Sequence, residues 1–285
     1  MNTITIQPPA SITATGTGQD AVVAGIKGLA RAILEALNTA GTAPTLAIQL
    51  QGTKTPPQVG LSQQGAASTT VGLKLASTNV NLSTIYTTGA TATSLKSVWY
   101  YLGTTGSPSG SATITCAVQS DSTGSPSGTV LATAGTVLVS SIAAGGGWVE
   151  FIFATPLDLA ASTAYHLVLS ASYTASGSNY VTVAVTTVAS GGTFETDTSG
   201  TWTEVTTQSA LVFTQEYPAF TNFTGGPQSG AFTSLSGANQ SAVETVDFNG
   251  PDLPYAMRAS YTIGGSSSPA YTLAIAISGT PAVSG

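Results

Sequence analysis

The sequence carries one imidazole, His166, and few other side chains of the kinds that move protons or hold metals. His166 lies in Tyr165-His-Leu-Val-Leu169, where alternation places it as a polar residue on the outward face of a strand. As a general base it would need an orienting carboxylate, and Asp158 is the candidate for that role. There is no Gly-x-Ser-x-Gly elbow and no second histidine to complete a hydrolase. Glu195 and Asp197 share one strand face at i, i+2 spacing. Glycosidases use two carboxylates at set separations with one pKa raised, but here a solvated face or tip is the simpler reading. Asp247-Phe-Asn-Gly-Pro-Asp252 gathers three oxygen side chains around a Gly-Pro turn. It lacks the alternating ligands and bidentate Glu of a calcium loop, and reads as Asx-turn chemistry at a strand end. Gly16-Thr-Gly18 lacks a third glycine and a preceding βαβ unit, so it is no nucleotide fingerprint. A lone cysteine, Cys116, leaves no intrachain disulfide and no Cys-based zinc site. Its place in the alternating run from Ala112 to Gln119 makes it a small buried thiol. No catalytic, metal or cofactor site is therefore expected, and the chain is expected not to be an enzyme.

Aromatic residues offer a different chemistry. Trp99, Tyr100 and Tyr101 are consecutive, so both faces of their strand carry a ring. Trp148 and Trp202 begin or follow Gly-rich turns. Exposed Trp and Tyr stack against sugars, which makes Trp148 and Trp202 candidate carbohydrate contacts. The competing and preferred reading is that Trp99 and Tyr101 fill the core of a sandwich.

The bulk composition agrees with this shortage of reactive groups. Six Lys and Arg and twelve Asp and Glu stand among 285 residues, against 81 Ser and Thr and 32 Gly. Disordered chains pair low apolar content with high charge, whereas this one is 42% hydrophobic with a mean hydropathy of +0.27. It is expected to fold into β structure, because Thr and Val suit strands and Gly, Ser, Pro and Asn suit turns. The basic residues (Lys27, Arg31, Lys54, Lys74, Lys96 and Arg258) are scattered, so no phosphate-neutralising cluster exists and nucleic acid is not an expected partner. No apolar run approaches the ~18 residues of a membrane span. The first residues lack the basic and apolar regions of a signal peptide, so the chain is expected to remain in the cytoplasm that makes it or to be built into an assembly. A surface with so little charge is poorly protected against self-association, which predicts a homo-oligomer or a surface covered by neighbours.

An echo between the chain ends organises the rest. Thr45-Leu-Ala-Ile-Gln-Leu-Gln-Gly52 matches Thr272-Leu-Ala-Ile-Ala-Ile-Ser-Gly279 in length and alternation, and each follows a proline. Two such strands in one sheet predict a discontinuous β-sandwich from 1–56 plus 218–285, with a second, jelly-roll β-sandwich of 57–217 inserted between its halves. Strands are expected at 230–235, 242–248, 255–263 and 271–277 in the outer domain. In the inserted one they are expected at 94–102, 112–119, 129–132, 148–153, 164–171, 180–188 and 210–216. The segment 21–38 stays open: Val22, Val23, Ile26, Leu29, Ala30, Ile33, Leu34 and Leu37 suit a short helix, yet 29–37 also suits the first arm of a hairpin. Thr-Gly-Ser-Pro-Ser-Gly occurs at 105–110 and again at 123–128, which predicts two tight connections at one end of the sandwich.

The middle region, with its paired Pro-Ser-Gly turns, Gly147-Trp-Val-Glu-Phe-Ile-Phe153, Pro156-Leu-Asp-Leu159 and Ala164-Tyr-His-Leu-Val-Leu169, resembles jelly-roll modules of bacterial surface and phage virion proteins. The outer segments Gly41-Thr-Ala-Pro-Thr-Leu-Ala-Ile-Gln-Leu-Gln-Gly52, Ala231-Phe-Thr-Ser-Leu235 and Leu253-Pro-Tyr-Ala-Met-Arg-Ala-Ser-Tyr-Thr-Ile-Gly-Gly265 resemble small tailed-phage head proteins of the minor capsid or decoration type. In that family a short Asp-rich turn joins the first two segments; here the inserted module stands in its place. The resemblance implies an all-β virion structural protein, assembled in the host cytoplasm, that binds the major capsid protein or other virion proteins. Phe248, Tyr255 and Arg258 would be its contact residues. A tail-fibre or receptor-binding module that recognises host surface carbohydrate is the alternative.

Overall fold

A computed structural model of the chain describes residues 2–23, 26–75, 79–223, 231–236, 241–248 and 254–281. Most of them are in strands; a single 3₁₀ turn at Val139–Ser141 is the only helical element among the described residues. Two compact units form, one from Met1–Pro56 with Ala219–Gly285 and one from Pro57–Pro218.

Two very long strands, Ile26–Thr53 and Ala256–Pro281, dominate the first unit and run antiparallel along most of their length. The short helix at 21–38 does not form. Ala30, Ala32, Leu34 and Ala36 are buried, while Arg31, Glu35 and Leu37 between them are exposed, Leu37 by 46%. That is the period of a strand, not of a helix. Tertiary pairing overrides local propensity here, because the segment is hydrogen-bonded along both edges, to Ser241–Phe248 and to the end of Ala256–Pro281.

The ladder between the two long strands is irregular near its middle. The pairing slips between Gly264 and Tyr271, opposite Asn38 to Thr45. Gly41 sits there at φ +107°, and a Cβ on it would stand 2.7 Å from the Cα of Pro269, so only glycine lets the two backbones approach at this irregularity. One half of the ladder carries Asn2–Ile12 and Ser241–Phe248 on its flanks. The other carries Gly16–Thr17, Ala21–Val22, Thr221–Asn222 and Ala231–Ser236. Side chains from both halves, including Ile6, Leu34, Leu46, Leu50, Leu273 and Ile277, meet in one apolar core. The echoed segments share this sheet but do not face each other: 45–50 runs against 259–264, and 272–279 runs against 30–37.

The second unit packs two seven-stranded sheets around its own core. One sheet is ordered Ser125–Thr133, Thr113–Ser122, Ala164–Ala171, Asn81–Thr87, Phe194–Thr198, Thr201–Val205, with Val137–Leu138 at the side of Thr113–Ser122. The other is centred on Thr93–Thr105, which pairs with Gly147–Leu159, Tyr180–Thr187 and Val212–Pro218. Cys116, Ile114, Val118, Leu167 and Leu169 point into the core from the first sheet, and Val98, Tyr100, Leu102, Phe151 and Val183 from the second. The two Thr-Gly-Ser-Pro-Ser-Gly copies do not lie at one end of the sandwich. The first precedes Thr113–Ser122 and the second follows it, so they lie at its opposite ends. In the second copy only Thr123 and Gly124, at φ +54° and +86°, make the turn, and Ser125 already begins the next strand.

Candidate functional site

The alternation of the Thr93–Thr105 strand decides where the aromatic residues go. Val98, Tyr100 and Leu102 are buried in the core, which puts Trp99 and Tyr101 on the opposite, outward face, both partly exposed. The expectation that Trp99 and Tyr101 fill the core is therefore reversed, and Tyr100 is the ring that does so. Cross-strand pairing then collects further rings on the same outward face, since Trp148 lies opposite Tyr101 and Phe213 opposite Trp99. The result is a row in contact throughout: Trp99 stacks on Phe213 at 5.3 Å, Phe213 meets Trp148 at 5.0 Å, and Trp148 stands edge-on to Tyr101 at 5.6 Å and 84°. These spacings are those of favourable aromatic pairs.

The Tyr101 and Trp148 end of the row opens on a cavity of about 600 Å³, which Gln64, Gly103, Gly146 and Thr182 help to line. Gly146 lies at φ +87°, and a Cβ there would stand 2.5 Å from the Tyr101 ring, so the glycine is what lets the loop rest against the aromatic face. The Trp99 indole N–H donates to Ser97 at 3.2 Å. The Trp148 indole N–H and the Tyr101 hydroxyl have no such partner among the described residues. Trp202 is elsewhere. It lies opposite Asp197 in the hairpin at the edge of the other sheet, so the structure does not join the two tryptophans singled out in the sequence.

His166 has neither the exposure nor the partner expected of it. Tyr165, Leu167 and Leu169 on its strand point into the core, which leaves His166 on the other face, yet it is 0% exposed. Its Nδ1 is 2.8 Å from Glu195 Oε2 and its Nε2 2.8 Å from Asp121 Oδ1. Asp158 instead accepts a hydrogen bond from Ser94 at 2.5 Å. Burial opposes the imidazolium, but the hydrogen bonds and charges of Glu195 and Asp121 outweigh it and raise the His166 pKa. The hydrogen bond from His166 in turn holds the Asp121 carboxyl below its usual range. Once protonated, the ring donates from both nitrogens, has no free lone pair and cannot serve as a general base. Glu195 and Asp197 are not a solvated tip either: they are 0% and 4% exposed. Asp197 accepts from Asn81 and from the Gly200 amide, each at 2.7 Å, and so closes the turn of its hairpin. Asp121, missed in the sequence, also accepts from the Gly124 amide at 3.1 Å; its Asp-Ser-Thr-Gly context is an Asx-turn signal.

Among the residues expected to contact other subunits, Arg258 is only 2% exposed. Its guanidinium lies 4.4 Å from the centre of the Phe220 ring, and its Nε donates to Gln51 at 3.0 Å. It organises the interior of its own unit. Tyr255 is partly exposed, and its backbone bonds to Thr53 and Val23. Phe248 ends a strand, opposite Ala30, but its side chain lies outside the described residues, as does most of the loop from Asp247 to Asp252.

No protein-family model matches the chain, and no curated protein sequence matches it. Among solved structures, it is similar to the Gt strain of infectious bursal disease virus at 8% identity and a TM-score of 0.19, over 97% of this chain and 78% of that one. It is also similar to T=1 particles derived from that virus, at 8% identity and a TM-score of 0.20, over 99% and 77%. For the VP2 subviral particle of the same virus, the values are 9% identity and 0.20, over 99% and 81%. Likeness at this level carries no argument about fold or role.

Proposed function

We propose that the chain is a non-enzymatic structural protein of a tailed-phage virion, a head-surface decoration or minor capsid protein. One observation carries the reading: the three segments that resemble small phage head proteins come together as neighbours in one half-sheet. Residues 45–53 pair with 256–264 on one side, and 45–49 pair with 231–236 on the other. The unit built from both chain ends docks on the major capsid protein or another virion protein, and it carries a jelly-roll-type module. Docking works by burying low-charge β surface, at about 25 cal/mol per Å² of apolar area, and repetition over a symmetric shell supplies avidity.

The test is to purify phage particles that encode the chain, count its copies by quantitative mass spectrometry, and locate it by electron cryomicroscopy. Many symmetrically placed copies on the head are expected. Absence from the particle overturns the reading, and a few copies at the tail tip replace decoration with adhesion.

A further inference from the structure

We propose that the cavity beside Trp148 and Tyr101 is a binding site for a neutral saccharide. This goes beyond the virion reading and stands without it. The chemistry of the walls selects the ligand. Every residue lining the cavity is uncharged: aromatic rings, glycine and alanine backbone, one leucine, threonine hydroxyls at 70, 104, 105 and 182, and the Gln64 amide. A charged ligand would lose its hydration there with no counter-charge to replace it, which selects against phosphates, sialylated or uronate sugars and acidic peptides. A wholly apolar ligand would leave the threonine hydroxyls without partners. A pyranose meets both demands. Its C–H face suits an aromatic ring, and its hydroxyls suit the Trp148 indole N–H and the Tyr101 hydroxyl, neither of which has a partner among the described residues.

The site is also shaped and rigid. Its volume, about 600 Å³, falls within the roughly 300–1,000 Å³ of small-molecule pockets. Trp148 is held between Tyr101 and Phe213, and Tyr101 is backed by Gly146. Little side-chain freedom therefore remains to be lost on binding. Trp202, on the other sheet, has no part in the site.

The experiment uses the full chain and a panel of neutral oligosaccharides, namely maltohexaose, cellohexaose, mannotriose and a galactose trisaccharide, with sialyllactose as the charged control. Binding is read by isothermal titration calorimetry and by the change in tryptophan fluorescence. At least one neutral glycan is expected to bind with an affinity of about 10 mM or tighter, and Trp148→Ala is expected to weaken it by about tenfold or more. Trp202→Ala is expected to leave it unchanged. Because Trp148→Ala removes packing as well, a second variant fills the cavity mouth: a Cβ at Gly145 meets nothing within 4 Å, so Gly145→Tyr should fold normally and abolish binding. Three results overturn the proposal: no neutral glycan bound by the folded protein, binding that survives Gly145→Tyr, or sialyllactose preferred over its neutral counterparts. Self-association that Trp148→Ala abolishes, with no saccharide bound, would assign the face to a second copy of the chain instead.

Discussion

Glu195 accepts a hydrogen bond from His166 at 2.8 Å where both side chains are 0% exposed. Asp121, whose side chain is 32% exposed, takes the other ring nitrogen, so the charge-poor chain sets its histidine between one buried and one surface carboxylate. Three strands are tied by it: Thr113–Ser122, Ala164–Ala171 and Phe194–Thr198.

The pH dependence follows from the two shifts. A raised His166 pKa stabilises the fold fully below the unfolded value of about 6.5, and that contribution is lost as pH rises through the higher folded value. A lowered Asp121 pKa stabilises it above about 3.9, and that contribution is lost as pH falls through the lower folded value. Thermal melting is expected to be highest between about pH 5 and 6 and to decline as the solution becomes alkaline. In His166→Ala the alkaline decline should vanish, and the protein should lose about 3–5 kcal/mol at pH 6 because Glu195 is left buried and unpaired. A variant that melts at the wild-type temperature at pH 6 would show that the charged cluster does not form.

The Ile26–Thr53 strand can be tested by two leucines three residues apart. Leu34 is 0% and Leu37 46% exposed, although in a helix they would share one face. Leu34→Ala is expected to cost about 2–5 kcal/mol and Leu37→Ala no more than about 0.5 kcal/mol, read by chemical denaturation. Equal losses would favour the helix.

Arg258 tests whether a buried guanidinium is exchangeable for an ammonium. Its planar group lies over Phe220 while Nε donates to Gln51, and lysine can reproduce the charge but not that geometry. Arg258→Lys is expected to lower stability by about 1–3 kcal/mol. A neutral result would mean that the charge alone matters at this position.

The all-β class was legible because composition and period-two alternation act locally, and strands such as Ala164–Ala171 appear within a residue of their sequence limits. What could not be read depends on residues far away. Nothing local separates helix from strand at 21–38; the partners on both edges, more than 200 residues distant, decide it. Asp121, Glu195 and His166 are likewise separated by 29 or more residues and meet only through sheet order. A sequence pattern gave the face of His166 but not its burial, since burial depends on what else lies over that face.

The run Trp99-Tyr100-Tyr101 makes the same point in a form that mutation can settle. Alternation guarantees that one face receives Tyr100 and the other receives Trp99 and Tyr101, but it cannot say which face is the core. The structure turns Tyr100 inward, where its hydroxyl crosses to the opposite sheet and lies 3.0 Å from the Leu167 carbonyl and 3.1 Å from the Thr84 hydroxyl. Burial raises its pKa well above that of a free tyrosine. Tyr100→Phe should therefore cost about 0.5–1.5 kcal/mol for the lost hydrogen bond, and Tyr100→Ala about 3–5 kcal/mol for the cavity. Trp99→Ala, although it deletes the larger ring, should cost only about 0.5–1.5 kcal/mol, the worth of its stacking on Phe213. If Trp99→Ala proved the more damaging in equilibrium unfolding, the strand would be facing the other way, and the aromatic row would belong to the core and not to a binding face.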